Sequence, residues 1–319
     1  MERPRLHGII PPMPTPLHSD ETIDLEAMTR LVDFLIGGGV HGLWVLGTTA
    51  RFDMIPDSRQ RQVAETVATV AAGRVPLVLN VSDQGTERTI EHAKMFDDLP
   101  YDYYAALPPW YQPMTPGEVA DYFLALADRL ARPLVTYNAP WVSNQLSFPL
   151  LRELAEHPRI VGCKDVTPSL SRTLDWTAAE RKSLGFSYLH GTDLLANSTD
   201  LGADGFVSSL TNPLPELSVA IYDAVLDDDA ERAYRLQSQL SRLARATGFG
   251  PMLACLEVIC RHRGLLTRML PAPLRPLDAE TARRVIEVVE AVGVLPVPAE
   301  YPVESPSPPV LQKSGATLA

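Results

Sequence analysis

The sequence predicts an α/β fold, a (β/α)8 TIM barrel followed by a C-terminal helical extension. Short apolar, β-branched runs alternate with amphipathic helical stretches as far as about residue 210, a pattern typical of repeated βα units and a parallel sheet. Eight such runs occur, at residues 7–11, 42–46, 75–81, 103–107, 133–138, 159–164, 186–191 and 205–210. Eight strands with helices between them predict a closed barrel.

The helices between the strands have recognisable starts and stops. Thr115 is a predicted N-cap, Pro116 takes the first helical position and Glu118 completes a capping box. In the helix predicted for residues 25–36, apolar side chains recur on one face until three consecutive glycines end it. Because these glycines precede a strand and do not open a helix, they predict a turn and not a phosphate-binding loop.

The chain divides into three predicted parts. Residues 1–212 form the barrel, and residues 213–294 form a helical segment packed on it. The last helix of that segment begins at Asp278, after a proline-rich break. Residues 295–319 are rich in proline and serine and poor in apolar periodicity, so we expect a disordered tail without an assigned function.

Composition and charge narrow the class of protein. The 319 residues are 45% hydrophobic and 21% charged, which is ordinary for one large catalytic domain with a sizeable core. A net charge of −11 argues against a nucleic-acid or anionic-membrane surface as partner. Small anionic substrates would therefore need a locally positive pocket.

Cysteine and histidine usage argues against a metal centre or a disulfide framework. The three cysteines show neither metal-binding nor disulfide spacing, and an odd number fits a reducing compartment. The seven histidines do not pair with carboxylates at metal-ligand spacing, and His190, at a strand end, is interpreted as structural. The N-terminus lacks a long apolar signal core and no stretch reaches membrane-spanning length, so we expect a cytoplasmic protein.

The strand ends carry the candidate chemistry, because a parallel barrel places its site at the carboxyl ends of its strands. Lys164 ends the sixth run and Tyr137 lies near the end of the fifth. A lysine amine is a nucleophile only when it is deprotonated, which burial or a neighbouring proton acceptor achieves. Lys164 and Tyr137 therefore suggest a Schiff-base enzyme. The alternative is a surface lysine paired with Asp165 and a tyrosine that only fills the barrel core.

Six motifs in order resemble the dihydrodipicolinate synthase and N-acetylneuraminate lyase superfamily of class I, Schiff-base aldolases. They are GIIPPMPTPL near the N-terminus, GLWVLGTTA at the second strand, PPWYQPMT after the fourth, VTYNAP at the fifth, VGCKD at the sixth and GADGFVS at the eighth. The resemblance covers roughly the first 290 residues. It implies a homo-oligomer, a tetramer or a dimer, that acts on a small-molecule 2-oxo acid and an aldehyde.

The resemblance also implies roles for individual residues. Lys164 matches the lysine that forms an imine with the ketone of a 2-oxo acid, usually pyruvate, so no cofactor beyond this covalent imine is expected. Tyr137 matches the phenol that acts as acid and base in turn. Thr48 and Tyr111 match a hydroxyl relay in which a neighbouring subunit supplies the tyrosine. Thr49, with the backbone amides of Thr49 and Ala50, matches the cradle for the substrate carboxylate.

Departures from the family pattern affect the choice of substrate. Ala50 and Arg51 stand where the family usually has Gly-Glu, and Arg51 either binds a second carboxylate or pairs with a surface acid. Val142 stands where dihydrodipicolinate synthases have an arginine for the aldehyde substrate, which argues against that activity. Asp193 is followed by leucine and not by the acidic residue of sialate lyases. The remaining members of the expected substrate-binding set are Gly191, Val207 and Ser208.

Two tryptophans bear on the same question. Trp110 and Trp141 are expected either to enlarge the aromatic surface of the distal pocket, favouring a less polar acceptor, or to pack a subunit contact. The reaction we expect is reversible aldol cleavage of a 4-hydroxy-2-oxo or 2-keto-3-deoxy acid to pyruvate and an aldehyde. The alternatives are a dehydratase that uses the same imine, dihydrodipicolinate synthase activity, and a catalytically silent binding protein on this scaffold.

Overall fold

The computed structural model describes residues 5–293. The predicted tail at 295–319 lies outside the described residues. Every predicted strand is present, and the bounds are β1 Gly8–Ile9, β2 Leu43–Val45, β3 Leu77–Asn80, β4 Tyr103–Ala106, β5 Leu134–Asn138, β6 Ile160–Asp165, β7 Ser187–His190 and β8 Gly205–Phe206. All neighbouring pairs are parallel, in the order β1-β8-β7-β6-β5-β4-β3-β2.

The segment after β1 closes the sheet into a ring. The Trp44 N–H donates to Pro11 O at 3.0 Å, and the Met13 N–H donates to Trp44 O at 2.9 Å. β1 itself is shorter than the predicted run at 7–11, because Pro11 and Pro12 have no N–H to contribute to a ladder. The predicted (β/α)8 barrel is therefore confirmed.

Helices connect the strands and continue after the last one. Their bounds are α1 Leu25–Gly37, α2 Asp57–Ala71, α3 Thr86–Lys94, α4 Pro116–Arg129, α5 Phe148–Glu156, α6 Ser171–Asp175, α7 Ala178–Ser183, α8 Leu195–Asp200, α9 Pro215–Leu226, α10 Ala230–Ala246, α11 Met252–His262 and α12 Ala279–Ala291. The predicted capping box opens α4, with both reciprocal bonds between Thr115 and Glu118 present.

The helices that follow β8 form the predicted extension. α9 packs against β1 and α8, and α12 packs against α10 and α11. Within residues 5–293, no helix combines the length and the apolar character needed to cross a bilayer. The extension matters for function because the connection between α10 and α11 reaches the carboxyl ends of the barrel strands.

Candidate active site

A cavity of about 320 Å³ lies at the carboxyl ends of the strands. Eight of the sequence-predicted site residues line it: Thr48, Thr49, Tyr137, Lys164, Gly191, Asp193, Val207 and Ser208. The other four predicted residues, Ala50, Arg51, Tyr111 and Val142, are not among the residues that line it. The barrel thus gathers side chains from loops far apart in sequence around one lysine.

Lys164 is a buried amine without a counter-charge. Its side chain is 2% exposed, and its Nζ lies 4.0 Å from the ring centroid of Tyr137 and 4.7 Å from that of Trp44. No ion pair to Lys164 occurs among the described residues, and burial alone lowers its pKa from 10.5 to about 7. A large fraction of the amine is therefore uncharged and nucleophilic at neutral pH.

The carboxylate of Asp165 forms its hydrogen bonds on the other face of β6, because successive strand residues point to opposite faces. Its Oδ1 accepts from Asn138 Nδ2 at 3.0 Å and from the Thr167 N–H at 2.9 Å. Its Oδ2 accepts from Arg172 Nε and from the Tyr188 hydroxyl, each at 3.0 Å. The alternative that made Lys164 a surface residue paired with Asp165 is therefore wrong.

Tyr137 is the hydroxyl partner that β5 places beside Lys164. The two residues stand opposite each other in the parallel ladder of β5 and β6. The Tyr137 hydroxyl and Thr48 Oγ1 are hydrogen-bonded at 3.1 Å, and the Tyr137 ring packs edge-on against Trp44. Burial raises the pKa of Tyr137 to about 12, so the phenol holds its proton at neutral pH. It can donate that proton to a developing alkoxide.

A short 3-10 turn at Thr48–Ala50 presents the two threonines. Thr49 Oγ1 bonds Ser209 Oγ at 2.7 Å, which joins the ends of β2 and β8 across the cavity. The Ala50 N–H donates to Gly47 O at 3.0 Å within the turn, and the residue is fully buried. Thr49 therefore lines the cavity, while its role in a carboxylate cradle and the contribution of the Ala50 amide stay predictions.

A residue two positions before this turn is in an unfavourable backbone conformation. Leu46 has φ 55°, in the left-handed region, which costs a non-glycine residue roughly 1–3 kcal/mol. Buried Asn80 donates from Nδ2 to Leu46 O at 2.9 Å, and Asn80 Oδ1 accepts from Ser82 Oγ at 2.7 Å. Asn80 and Ser82 thus hold the peptide that orients Thr48. The role of Asn80 and Ser82 could not be predicted from the sequence, because a leucine gives no indication of a left-handed backbone conformation.

Arg51 and Val142 line a neighbouring pocket of about 260 Å³, together with Trp110 and the shared Thr48. Arg51 Nη2 pairs with Asp53 Oδ2 at 2.6 Å, which is the second of the two outcomes considered for this residue. Trp110 packs edge-on against Phe52 in this pocket. Of the two tryptophans proposed for the distal pocket, only Trp141 lines the main cavity.

Tyr111 projects away from the cavity of its own chain. Its side chain is 81% exposed and makes no hydrogen bond to Thr48 or Tyr137 within residues 5–293. Its backbone is nevertheless fixed, since the Tyr111 N–H donates to Gln84 Oε1 at 3.1 Å. Asn144 holds the same loop by donating to Gln112 O at 3.0 Å. A fixed loop with an exposed phenol is compatible with a role in another subunit.

The rim formed by β7 and β8 is closely packed. A Cβ on Gly191 would lie 2.3 Å from Val166 Cγ1, so only glycine fits there. Asp193 keeps contact with solvent, and partial burial raises the pKa of its carboxyl group. His190 lies outside the cavity, fully buried, with Nε2 3.3 Å from Thr167 O. This contact agrees with the structural interpretation of the histidine.

The sequence did not identify the part of the wall that the helical extension supplies. Thr247, from the connection between α10 and α11, and Met252 and Leu253, at the start of α11, line the cavity. Met252 is 48% exposed at the mouth. Nothing in local periodicity distinguishes these residues from ordinary helix ends. No group of three His, Cys, Asp or Glu side chains placed to hold a metal ion occurs in the described part of the chain.

Comparison with known proteins places the chain in a family. The model of the dihydrodipicolinate synthetase family matches residues 5–292. The chain belongs to the dihydrodipicolinate synthetase family. One family relative is the probable 2-dehydro-3-deoxy-D-pentonate aldolase YjhH of Escherichia coli K12, 32% identical over 301 residues that cover 92% of this chain and 99% of that protein.

Other members of the family extend this likeness. An uncharacterized DapA-like lyase of Halobacterium salinarum is 31% identical over 276 residues, covering 86% of this chain and 90% of that protein. The structure of YagE from Escherichia coli K12 in complex with pyruvate has a TM-score of 0.86 and 25% identity, covering 91% of this chain and 99% of that one. These findings support the general class of lyases and aldolases and leave the substrate open.

Proposed function

We propose that this protein is a Schiff-base lyase that reversibly cleaves a 4-hydroxy-2-oxo acid or 2-keto-3-deoxy acid into pyruvate and an aldehyde. The observation that carries the proposal is the environment of Lys164. A buried amine with a pKa of about 7 and no carboxylate partner is costly for stability and suited to attack on a ketone. Its position at a strand end inside the cavity gives it access to substrate.

In the synthetic direction, the uncharged amine of Lys164 adds to the ketone carbon of pyruvate. The carbinolamine loses water to give a protonated imine, and loss of a proton from the methyl carbon gives an enamine. The enamine carbon attacks the aldehyde carbonyl, and the new alkoxide takes a proton. Water then hydrolyses the imine, which releases the product and regenerates the amine. Cleavage follows the same steps in reverse.

Tyr137 is the proposed proton donor and acceptor for these steps. Its hydroxyl is bonded to Thr48, and its ring contacts the Lys164 amine, so it lies beside both the carbinolamine and the aldol oxygen. Tyr111 of a second subunit would complete the relay at Thr48. The exposed side chain of Tyr111 supports a homo-oligomer in which this contact forms.

The substrate carboxylate is proposed to bind near Thr49 and Ser209. These hydroxyls are joined at 2.7 Å, and both residues line the same cavity as Lys164. Support for pyruvate as donor comes from the complex of the structural neighbour YagE with pyruvate. Support for a sugar-acid product comes from the relative YjhH, a probable 2-dehydro-3-deoxy-D-pentonate aldolase. Val142 at the position of the synthase arginine supports neither a charged aldehyde nor lysine biosynthesis.

Borohydride reduction in the presence of pyruvate tests the proposal. We expect intact-protein mass to increase by one reduced pyruvate per chain, with the label on the peptide that contains Lys164. Lys164→Ala should abolish the adduct, while Lys182→Ala, at an exposed lysine, should leave it intact. A folded wild-type protein that forms no adduct with pyruvate or with other 2-oxo acids would contradict the imine mechanism.

Product analysis separates the proposed cleavage from dehydration. With a 2-keto-3-deoxy acid as substrate, we expect pyruvate and an aldehyde in equal amounts. Loss of water without an aldehyde product would assign the same imine to a dehydratase. An unreactive Lys164 in a folded protein would leave the catalytically silent binding protein as the better account.

A further inference from the structure

The outer half of the cavity has an apolar wall built from two parts of the chain. Trp141 comes from the loop after β5, and Met252 and Leu253 come from the start of α11. Trp141 is 60% exposed and Met252 is 48% exposed. An apolar substituent of a substrate that covers these two side chains would remove their surface from water, which favours binding.

The charged side chains that line the cavity offer no partner for a second anion. Among the described residues that line it, Lys164 is the only cation and Asp193 is the only anion. The positive imine formed at Lys164 is matched by the carboxylate of the 2-oxo acid that forms it. A second carboxylate on the aldehyde would meet Asp193 at the rim, and like charges at short range repel. Arg51 does not line the cavity and is paired with Asp53.

Two hydroxyl groups of the rim already use their protons within the protein. Thr247 Oγ1 donates to Ala244 O at 2.7 Å. Thr192 Oγ1 accepts from the Leu194 N–H and is hydrogen-bonded to His190 Nδ1, each at 3.3 Å, while His190 Nε2 lies against the carbonyl oxygen of Thr167. These two threonines therefore offer a polyhydroxylated aldehyde no hydrogen-bond donor to replace those it has in water, and unpaired polar groups oppose binding.

We propose that the acceptor subsite takes an uncharged aldehyde with an apolar substituent, which packs against Trp141, Met252 and Leu253, and that Asp193 excludes acceptors with a second carboxylate. This inference rests on the proposed aldolase function and adds the class of aldehyde to it. Met252 and Leu253 act here as residues that determine specificity, and they come from the helical extension and not from the barrel.

Aldol addition of pyruvate to three aldehydes tests the inference. Butanal is neutral and apolar, glyceraldehyde is neutral and polyhydroxylated, and succinic semialdehyde carries a carboxylate. We expect kcat/KM to be highest for butanal, roughly tenfold lower for glyceraldehyde and lower again for succinic semialdehyde. The intrinsic reactivity of two aldehydes enters their kcat/KM ratio equally in every variant, so it cancels when the ratio of a variant is divided by the ratio of the wild type.

Two pairs of variants separate charge from apolar packing. Asp193→Asn should raise the ratio of succinic semialdehyde to butanal by roughly tenfold, while Asp200→Asn, an exposed control at the end of α8, should not change it. Met252→Gln should lower the ratio of butanal to glyceraldehyde by roughly fivefold, while Met252→Leu should preserve it. Met, Gln and Leu have similar helix propensities, so α11 should form in both variants.

The outcomes distinguish this inference from the proposed function. A wild-type preference for glyceraldehyde or succinic semialdehyde, with ratios unchanged in both variants and a normal pyruvate adduct, would overturn the inference and leave the imine mechanism intact. Absence of the pyruvate adduct would overturn the mechanism and the inference together. A normal adduct without carbon–carbon bond formation from any aldehyde would overturn the aldolase proposal, and with it the acceptor class.

Discussion

The two faces of β6 provide different environments for two adjacent ionisable residues. Lys164 points into the cavity, where two aromatic rings lie beside its amine and no carboxylate of residues 5–293 pairs with it. Asp165 points outward, where its two oxygens accept four hydrogen bonds within 3.0 Å. Both side chains are almost completely buried. The two residues therefore do not differ in burial. They differ in the number of hydrogen-bond and ion-pair partners.

The difference indicates which residue stabilises the fold and which one is available for chemistry. A buried charge with all its hydrogen bonds made is strongly destabilising to remove. A buried amine with no partner instead gives up its proton, which exposes the nitrogen lone pair. Removal of Asp165 should therefore damage stability first, and removal of Lys164 should damage activity first. The predictions below test that contrast.

The largest expected effect is on turnover in Lys164→Met. Methionine keeps the length and apolar stem of the lysine but has no nucleophile, so we expect a loss of kcat by about four orders of magnitude or more. The assay is pyruvate release from a 2-keto-3-deoxy acid. Lys182→Met provides the matched control at an exposed lysine. Retention of more than a few per cent of wild-type turnover in Lys164→Met would contradict covalent catalysis.

The next effect concerns stability in Asp165→Ala. The substitution leaves Arg172 without its buried carboxylate partner and Tyr188 without an acceptor, and it removes one of the two acceptors of the Asn138 amide, so we expect the free energy of unfolding to fall by about 4 kcal/mol. Urea unfolding at fixed protein concentration measures it. Asp200→Ala is the exposed control. A loss below about 1 kcal/mol would show that the network outside β6 is dispensable.

The third effect is a gain in stability for Lys164→Met. Burial lowers the Lys164 pKa from 10.5 in the unfolded chain to about 7 in the fold. Lys164 therefore lowers the free energy of unfolding of the wild type. This cost is largest at or below pH 7 and decreases as the pH rises towards 10.5. We expect the variant to gain about 3 kcal/mol at pH 7 and clearly less at pH 9. Tyr137, with a pKa of about 12, does not titrate in this interval. A stability difference independent of pH would contradict the depressed lysine pKa.

The smallest effect is expected for Tyr137→Phe. The phenyl ring keeps the packing against Trp44 and Lys164 but loses the hydroxyl bonded to Thr48. We expect kcat to fall by about a hundredfold, within the range for loss of a general acid–base group, while borohydride still traps the pyruvate imine. Unchanged turnover would assign Tyr137 to the core alone, and failure to form the imine would place its role before the carbon–carbon step.

The sequence predicted most of the barrel and much of the site for physical reasons. Apolar runs of strand length report burial directly, and a parallel barrel fixes where the strands end. Lys164 and Tyr137 were therefore expected at the same end of the barrel without knowledge of any distance, while the role of Thr48 was implied by the family resemblance. The environment of these side chains was not predictable. Lys164 has no ion-pair partner among the described residues and Asp165 accepts four hydrogen bonds, and both facts depend on residues from several elements.

The parts that the sequence could not provide arise from long-range packing. Met252 and Leu253 reach the cavity only because α10 and α11 fold back over the strand ends. The support of Leu46 by Asn80 joins two strands and has no local pattern. The pairing of Arg51 with Asp53 was one of two considered outcomes, and only the orientation of the turn after Thr48–Ala50 decides between them.

The most direct test of the uncharged amine is a lysine titration by NMR. The chain contains four lysines, Lys94, Lys164, Lys182 and Lys313, so labelling at Cε gives four signals. We expect one signal to titrate near pH 7, to disappear in Lys164→Met and to shift when pyruvate and borohydride are added. If the Lys164 signal titrates above pH 9 instead, Lys164 is an ordinary charged lysine and the proposed mechanism is contradicted.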